Sequence, residues 1–288
     1  MGIDDQIHGA TSLVTVVHEG GTANGSGFFY ALSTPEEKGP HPAGTLIWTK
    51  LERIWLISNK HVLCPNHEKG AGPPKIISVH VRERRETAIE WEELKFFARR
   101  TRDLLRFHPD PAVDVASLDV TEQIHKLPFA SRNFFFFTIG AHHFPERRGL
   151  NIEVGSDVLV IGYPRAFYDK LNKFPIVKTG IIASRWGAPF EGKRHCLVDA
   201  RLFPGSSGSL VISKPTHYAS DESGPAHFAN KRYCLIGVYS GEVGVLHKPV
   251  ETPDGLLLRK ETFDLGAVWY PETITETIAQ ENSPFPRP

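Results

Sequence analysis

Phe203-Pro204-Gly205-Ser206-Ser207-Gly208-Ser209-Leu210-Val211 sets two glycines around a pair of serines and runs straight into an apolar strand. A serine hydroxyl used as a nucleophile needs such a turn, because glycine adopts unusual backbone angles and lets a carbonyl approach the chain closely. The same turn can aim successive backbone N–H groups at one point, where a developing oxyanion would sit. Taken alone, the stretch reads equally well as a Gly/Ser turn between two strands.

Working outward, short segments rich in β-branched and aromatic residues dominate the chain. They are Ser12 to Val17, Gly27 to Ala31, Thr45 to Thr49, Ile54 to Ser58, Ile76 to Val81, Val113 to Val120 and Phe134 to Ile139. Then follow Val158 to Gly162, Ile176 to Ser184, Cys196 to Leu202, Leu210 to Ser213 and Cys234 to Ser240. Many short strands separated by Gly, Pro and Asn clusters predict an all-β sandwich or barrel. A weak helical period covers Ala88 to Arg100, and Pro271 to Ile278 reads as the opening of one terminal helix. The three-proline tail from Ser283 to Pro288 reads as disordered. Ser33 to Ala43, Pro65 to Pro74 and Pro215 to Arg232 read as long loops. The strand count alone places a boundary between two lobes near residue 145.

Lys+Arg and Asp+Glu both number 33, so no global field recruits nucleic acid or an anionic membrane. The basic runs Arg82 to Arg85 and Arg99 to Arg102 have acidic neighbours and read as solvated faces. No stretch approaches the roughly 20 apolar residues that span a bilayer, and the start Met1-Gly2-Ile3-Asp4-Asp5 shows no signal peptide. Three widely spaced cysteines, Cys64, Cys196 and Cys234, fit reduced thiols in a cytoplasmic protein better than a disulfide framework. Cys196 and Cys234 lie in similar strand-like runs and could be neighbours in one sheet.

Two further stretches carry chemistry. In Leu56-Ile57-Ser58-Asn59-Lys60-His61-Val62 an apolar strand ends at a small polar residue and a histidine follows, well placed to face a cleft as a general base. In Ala112-Val113-Asp114-Val115-Ala116 an acid stands among apolar residues, where it is expensive to bury unless a group such as an imidazole N–H pairs with it. Asp110 and Asp119 compete for that role, and Asp114 has the most apolar surroundings. The order is His, Asp, Ser, whereas α/β-hydrolases run Ser, Asp, His and subtilisins run Asp, His, Ser.

These stretches together resemble the trypsin-like, chymotrypsin-fold serine peptidases, and within them the bacterial Do-like (HtrA-type) branch. Gly25-Ser26-Gly27-Phe28 resembles its GSGF strand, Asn59-Lys60-His61-Val62 its T-N-x-H-V, and Asp114-Val115-Ala116 its D-[IV]-A. Val154 through Pro164, Thr179 to Ala183, Asp199 to Gly208 and Leu235 to Val238 resemble further family strands. The likeness covers roughly residues 12 to 245, with long insertions. It departs at Gly-Ser-Ser-Gly-Ser, where the family often has Gly-Asn-Ser-Gly-Gly. Ser206 stands where digestive zymogens carry an activating Asp, and no Ile-Val-Gly-Gly start exists. The residues after Gly241 are too few for a PDZ domain.

The resemblance implies an all-β chain of two six-stranded antiparallel Greek-key β-barrels packed face to face, with a C-terminal helix. Residues 1–145 would carry His61 and Asp114, and residues 146–288 would carry Ser207. Ser207 would be the nucleophile of an endopeptidase, His61 its general base and Asp114 the group that orients His61. The N–H groups of Gly205 and Ser207 would form the oxyanion hole. Arg201, Phe203, Tyr239, Ser240, Gly241 and Glu242 would border the substrate pocket, with Glu242 as a negative wall and no aspartate at the base. Substrates would be proteins or peptides, with no metal or cofactor. A cytoplasmic peptidase lacking the zymogen start needs restraint, and the site would stay inactive until a partner protein or oligomeric contact orders the oxyanion loop. A catalytically idle binding module on the same fold remains open. An esterase or acyltransferase is a further alternative, although an α/β-hydrolase elbow would need its second glycine one place later. A metal hydrolase lacks His-Glu-x-x-His, and adjacent His142 and His143 point in different directions in most backbones.

Overall fold

The computed structural model describes residues 2–35, 49–86, 88–219, 227–246, 250–252, 255–257 and 260–285. The N-terminal sheet has eight antiparallel strands. They are β1 (Thr11–His18), β2 (Gly21–Pro35), β3 (Thr49–Ser58), β4 (Ile76–Arg85), β5 (Ala88–Phe97), β6 (Leu105–Phe107), β7 (Ala116–Asp119) and β8 (Asn133–Phe135). Their order is β5-β4-β1-β2-β3-β7-β6, with β8 on β4. The C-terminal half closes into a six-stranded barrel from β9 (Asp157–Gly162), β10 (Ile176–Ile182), β11 (His195–Asp199), β12 (Leu210–Ser213), β15 (Leu235–Leu246) and β18 (Lys260–Trp269), ordered β10-β11-β18-β15-β12-β9. Two hairpins extend it, β13 (Thr216–Ala219) with β14 (His227–Arg232) and β16 (Val250–Thr252) with β17 (Gly255–Leu257). The described residues also include six short α-helices: α1 (Ile3–Ala10), α2 (Lys60–Leu63), α3 (Ala98–Leu104), α4 (Thr121–His125), α5 (Pro145–Arg148) and α6 (Glu272–Ile278).

The all-β, chymotrypsin-like class and the terminal helix are those the sequence implies. The N-terminal sheet holds eight strands where the family likeness implies six. Ala88 to Phe97 forms a strand and not a helix, because it pairs with β4 along its whole length; only α3 is helical there. Tertiary pairing overrides a weak local period. Ser283 to Phe285 is docked: Ser283 Oγ donates to the Arg102 carbonyl and Phe285 packs edge-on to Phe107. The segment from Pro215 to Arg232 contains β13 and β14. Thr45 to Trp48, most of the loop Ser33 to Ala43, and Arg287 and its neighbours at the end lie outside the described residues.

Apolar residues run continuously through several strands because both faces are buried. Phe29, Ile54 and Leu56 face the core of the N-terminal sheet, while Phe28, Tyr30, Trp55 and Ile57 face the opposite way. That second face joins Ile161, Leu210, Ile212, Leu235 and Trp269 of the barrel, with Ile274 and Ile278 of α6, in one shared core. Val158, Val160, Val211 and Ile236 fill the barrel itself. The seam between the two sheets is therefore a packed core, and loops rising from its rim are held rigidly.

The run Arg82-Glu83-Arg84-Arg85 is not a simple solvated face. Its β4 is covered by β1, β5 and β8, so Arg82 and Glu83 are buried. Arg82 lies between the rings of Phe135 and Phe174, 5.2 and 4.8 Å from their centres. Glu83 accepts hydrogen bonds from Arg132 Nε and Nη2 and from Arg85. The Arg132 contacts hold its carboxyl at about 2, against an ordinary 4.5. A depressed carboxyl pKa stabilises the fold above the unfolded value and loses that contribution as pH falls through the folded one. Glu83→Gln is accordingly expected to destabilise the chain by about 2 kcal/mol near neutrality, the scale of hydrogen bonds to charged groups. The difference should shrink as pH drops from about 4.5 to about 2, as read by urea unfolding across that window.

Candidate active site

β3 ends at Ser58, Asn59 is extended, and α2 begins at once, so the chain turns sharply at the seam. Ser58, Asn59 and Lys60 are buried, whereas 45% of the His61 side chain is exposed. Gly25 on β2 makes this possible: a Cβ there would lie 2.5 Å from Val62 Cγ1. Asp114 lies in the loop before β7 and not within the strand, which starts at Ala116. Val113 and Val115 on either side are buried in the shared core, which fixes Asp114 between them.

His61 and Asp114 meet. His61 Nδ1–H donates to Asp114 Oδ2 at 2.6 Å, and the His61 backbone N–H approaches Oδ1 at 3.3 Å. Since a carboxylate only accepts, Nδ1 carries the proton and Nε2 presents a lone pair. Ser240 Oγ donates to the same Oδ2 at 2.7 Å, and Asn59 Nδ2 donates to the Asp114 carbonyl at 2.6 Å. Burial works against the Asp114 charge, but the hydrogen bonds from His61 and Ser240 outweigh it and hold the carboxyl below the usual aspartate range.

Ser207 sits beside this pair through Ser240: its Oγ donates to the Ser240 carbonyl at 2.7 Å. The turn that carries it is tightly determined. Ser206 N–H bonds the Phe203 carbonyl at 3.0 Å across Pro204 and Gly205, and Gly205 has φ +87°. Proline followed by a positive-φ glycine is the signature of a type II turn. Arg165 N–H holds the Pro204 carbonyl at 3.0 Å, so the planar peptide sends the Gly205 N–H the opposite way. The N–H groups of Gly205 and Ser207 have no acceptor among the described residues. Arg165 and Ala166 both take left-handed conformations, φ +50° and +52°, a strained way to present that N–H.

Ser26 on β2 binds the turn to the N-terminal sheet. Its N–H donates to the Ser207 carbonyl at 3.0 Å, its Oγ donates to the Gly205 carbonyl at 3.2 Å, and the same Oγ accepts from Tyr163 N–H at 2.8 Å. Gly208, φ +80°, lets Ser26 approach; a Cβ there would lie 2.0 Å from the Ser26 carbonyl oxygen. Ser26 and the acid-binding role of Ser240 were not legible as such in the sequence. The Gly-Ser-Gly of residues 25–27 was the available signal for the first, and the second had none.

The other pocket candidates lie on two segments, before the Ser207 turn and on β15. Arg201 is exposed and its carbonyl accepts from Lys178 Nζ, which lies 4.7 Å from the centre of the Phe203 ring. Ser240, Gly241 and Glu242 follow on β15. β15 pairs with β12 only as far as Val238, so the edge at 240–242 is unpaired there while its other edge is bonded to β18. Glu242 is exposed on that stretch. Tyr239 is buried in the barrel with its ring where a side chain at Gly266 would stand, 2.4 Å from a Cβ built there.

Cys64, Cys196 and Cys234 are free and buried. Cys196 and Cys234 share the barrel core, but Cys196 lies on β11 and Cys234 just before β15, with β18 between those strands. Burial pushes the Cys64 and Cys234 thiols up to about 11 and Cys196 to about 12, which keeps them protonated and unreactive. Among the described residues, no helix is long and apolar enough to cross a membrane.

The trypsin-like peptidase domain family matches residues 25–216, from the Gly25 that seats Val62 through the turn of Ser207. The chain belongs to this family of trypsin-like peptidase domains. No curated protein matches it. Among solved structures it is similar to the protease Anisep from Arthrobacter nicotinovorans, at 13% identity and TM-score 0.49, covering 95% of this chain and 98% of that one. It is also similar to a serine endoprotease from Yersinia pestis, at 16% identity and TM-score 0.46, covering 95% of this chain. The match spans 62% of the Yersinia protein's length. The active form of the Rv3671c protease from M. tuberculosis matches at 14% identity and TM-score 0.44, covering 98% of this chain and 85% of that one.

Proposed function

We propose that this chain is a serine endopeptidase that cleaves protein or peptide substrates with Ser207 as nucleophile, His61 as general base and Asp114 as its orienting acid. The observation that carries the reading is the cluster in which Asp114 accepts from both His61 and Ser240 while the backbone carbonyl of the same Ser240 accepts from Ser207. For catalysis the Ser207 hydroxyl would leave the Ser240 carbonyl, by rotation about χ1, and donate to His61 Nε2. Oγ then bonds to the substrate carbonyl carbon as its proton passes to Nε2. The carbonyl oxygen becomes an oxyanion facing the Gly205 and Ser207 N–H groups, and such donors act without reorganisation during the step. The intermediate collapses, the C–N bond breaks, and Nε2–H protonates the leaving amine. Water repeats the sequence on the acyl-enzyme. Asp114 holds Nδ1–H throughout and stabilises the imidazolium.

An extended substrate would add as a strand to the open edge of residues 240–242, between that edge and the wall of Arg201 to Phe203. Glu242 would meet its polar groups. A regulatory partner would act through Arg165 and Ala166, since the bond from Arg165 N–H to the Pro204 carbonyl orders the turn. The three buried thiols suit a reducing compartment such as the cytoplasm.

The second reading is a catalytically idle binding module on this fold. It is favoured by one observation, the Ser207 hydroxyl resting on Ser240 and not on His61. Incubation with an unfolded protein distinguishes the two. Cleavage by the wild type, absent in Ser207→Ala, supports the peptidase; binding without cleavage supports the module.

A further inference from the structure

The loop that carries Asp114 is closed at its base by His108 N–H bonding the Val115 carbonyl at 3.1 Å. Inside it, Asp110 organises a turn: Oδ1 accepts from Ala112 N–H at 2.9 Å and its carbonyl from Val113 N–H at 3.2 Å. His108 Nδ1 accepts the Asp110 N–H at 3.0 Å, while Nε2 lies 2.8 Å from Glu276 on α6. These bonds shape the loop, but they do not attach its tip to the segment that holds His61.

Lys60 makes that attachment. It is 3% exposed, yet it carries an ammonium. Its Nζ donates to the Asp110 carbonyl at 3.0 Å, stands 3.5 Å from the Pro111 carbonyl, and lies 5.9 Å from the centre of the Phe107 ring. Among the described residues no carboxylate lies within ion-pair distance of it; burial lowers its pKa, and the more distant Asp114 and Asp110 charges only partly offset that. Burying a cation against carbonyl dipoles alone is costly. A leucine or methionine would fill the space without that cost, so the ammonium is explained by the carbonyls it holds. Consecutive residues thus grip the Asp114 loop three times: Asn59 by its amide, Lys60 by its ammonium and His61 by its backbone N–H.

We propose that Lys60 is a positioning residue for the His61–Asp114 pair, fixing the Asp110–Asp114 turn so that Asp114 Oδ2 stays in register with His61 Nδ1. The inference rests on the peptidase reading above. Lys60 touches no reacting atom; it acts through the loop. A small displacement of an orienting group is worth about 10²-fold in rate.

The test compares wild type, Lys60→Met, Lys60→Arg and Ser207→Ala. The far-downfield proton resonance of His61 Nδ1–H reports the hydrogen bond to Asp114, and kcat and KM on a cleaved peptide report catalysis. Lys60→Met is expected to melt as one folded species, to lose or broaden that resonance, and to lower kcat about 10²-fold with KM unchanged. Lys60→Arg, which can donate to the same carbonyls, should recover both readouts. Should the methionine variant not fold, Lys60→Leu, which likewise removes both the charge and the donor, is read in the same way. A folded variant without the charge that keeps both the resonance and kcat overturns the proposal. Because the resonance is also present in Ser207→Ala if His61 and Asp114 pair, failure of the clamp is separable from failure of the peptidase reading.

Discussion

Asp114→Asn should lower kcat by about 10⁴-fold, the loss expected when the orienting acid is replaced by its amide. An amide can offer His61 Nδ1 an N–H in place of an oxygen. The imidazole then accepts at Nδ1 and carries its proton on Nε2, where it can no longer take the proton of Ser207. Ser240 Oγ, which faces the same position as His61 Nδ1, can turn to accept the second amide N–H, and the His61 backbone N–H keeps the remaining oxygen, so the loop has no reason to unfold. The expected outcome is therefore a large fall in kcat, a small change in KM and a melting temperature near that of wild type. Steady-state kinetics with a calorimetric scan checks all three. A fall in kcat of less than tenfold would mean that His61 does not depend on Asp114.

The second large effect is expected from Gly205→Ala. With φ at +87°, an added Cβ would stand 2.5 Å from Arg165 N, the atom that holds the Pro204 carbonyl. Both problems are relieved together by turning the Pro204–Gly205 peptide over, which withdraws the Gly205 N–H from the oxyanion position. Losing one such donor costs about 10²–10³ in kcat. Gly187→Ala is the control: its φ is +75°, but nothing lies within 4 Å of the added Cβ. It carries the backbone penalty of about 1 kcal/mol and should leave kcat unchanged. If the two variants lose activity equally, the effect of Gly205 is backbone strain and not the loss of a donor.

The sequence made the strands and the triad candidates readable for a common reason. The apolar runs in β2, β3, β9 and β12 are buried on both faces, and His61, Asp114 and Ser207 stand out because each lies in a short polar or glycine-rich stretch beside a strand of this kind. The helical period over Ala88 to Arg100 misled because a ten-residue pairing with β4 outweighs local preference. The basic run at Arg82 looked solvated because nothing local shows that β8 and the Phe174 loop fold over it. Ser26, Ser240 and Lys60 carry the same lesson for the site. Each acts on a backbone or carboxylate 50 residues or more away in sequence. Such partners are set by topology, and no spacing rule announces them.

The account stands on Ser207 being a reactive nucleophile, and labelling with a fluorophosphonate probe, read by intact mass, tests that most directly. The expected result is a single covalent adduct on the wild type that maps to Ser207 and is absent from Ser207→Ala. Absence of an adduct on folded wild-type protein, or an adduct that persists in Ser207→Ala, would contradict it.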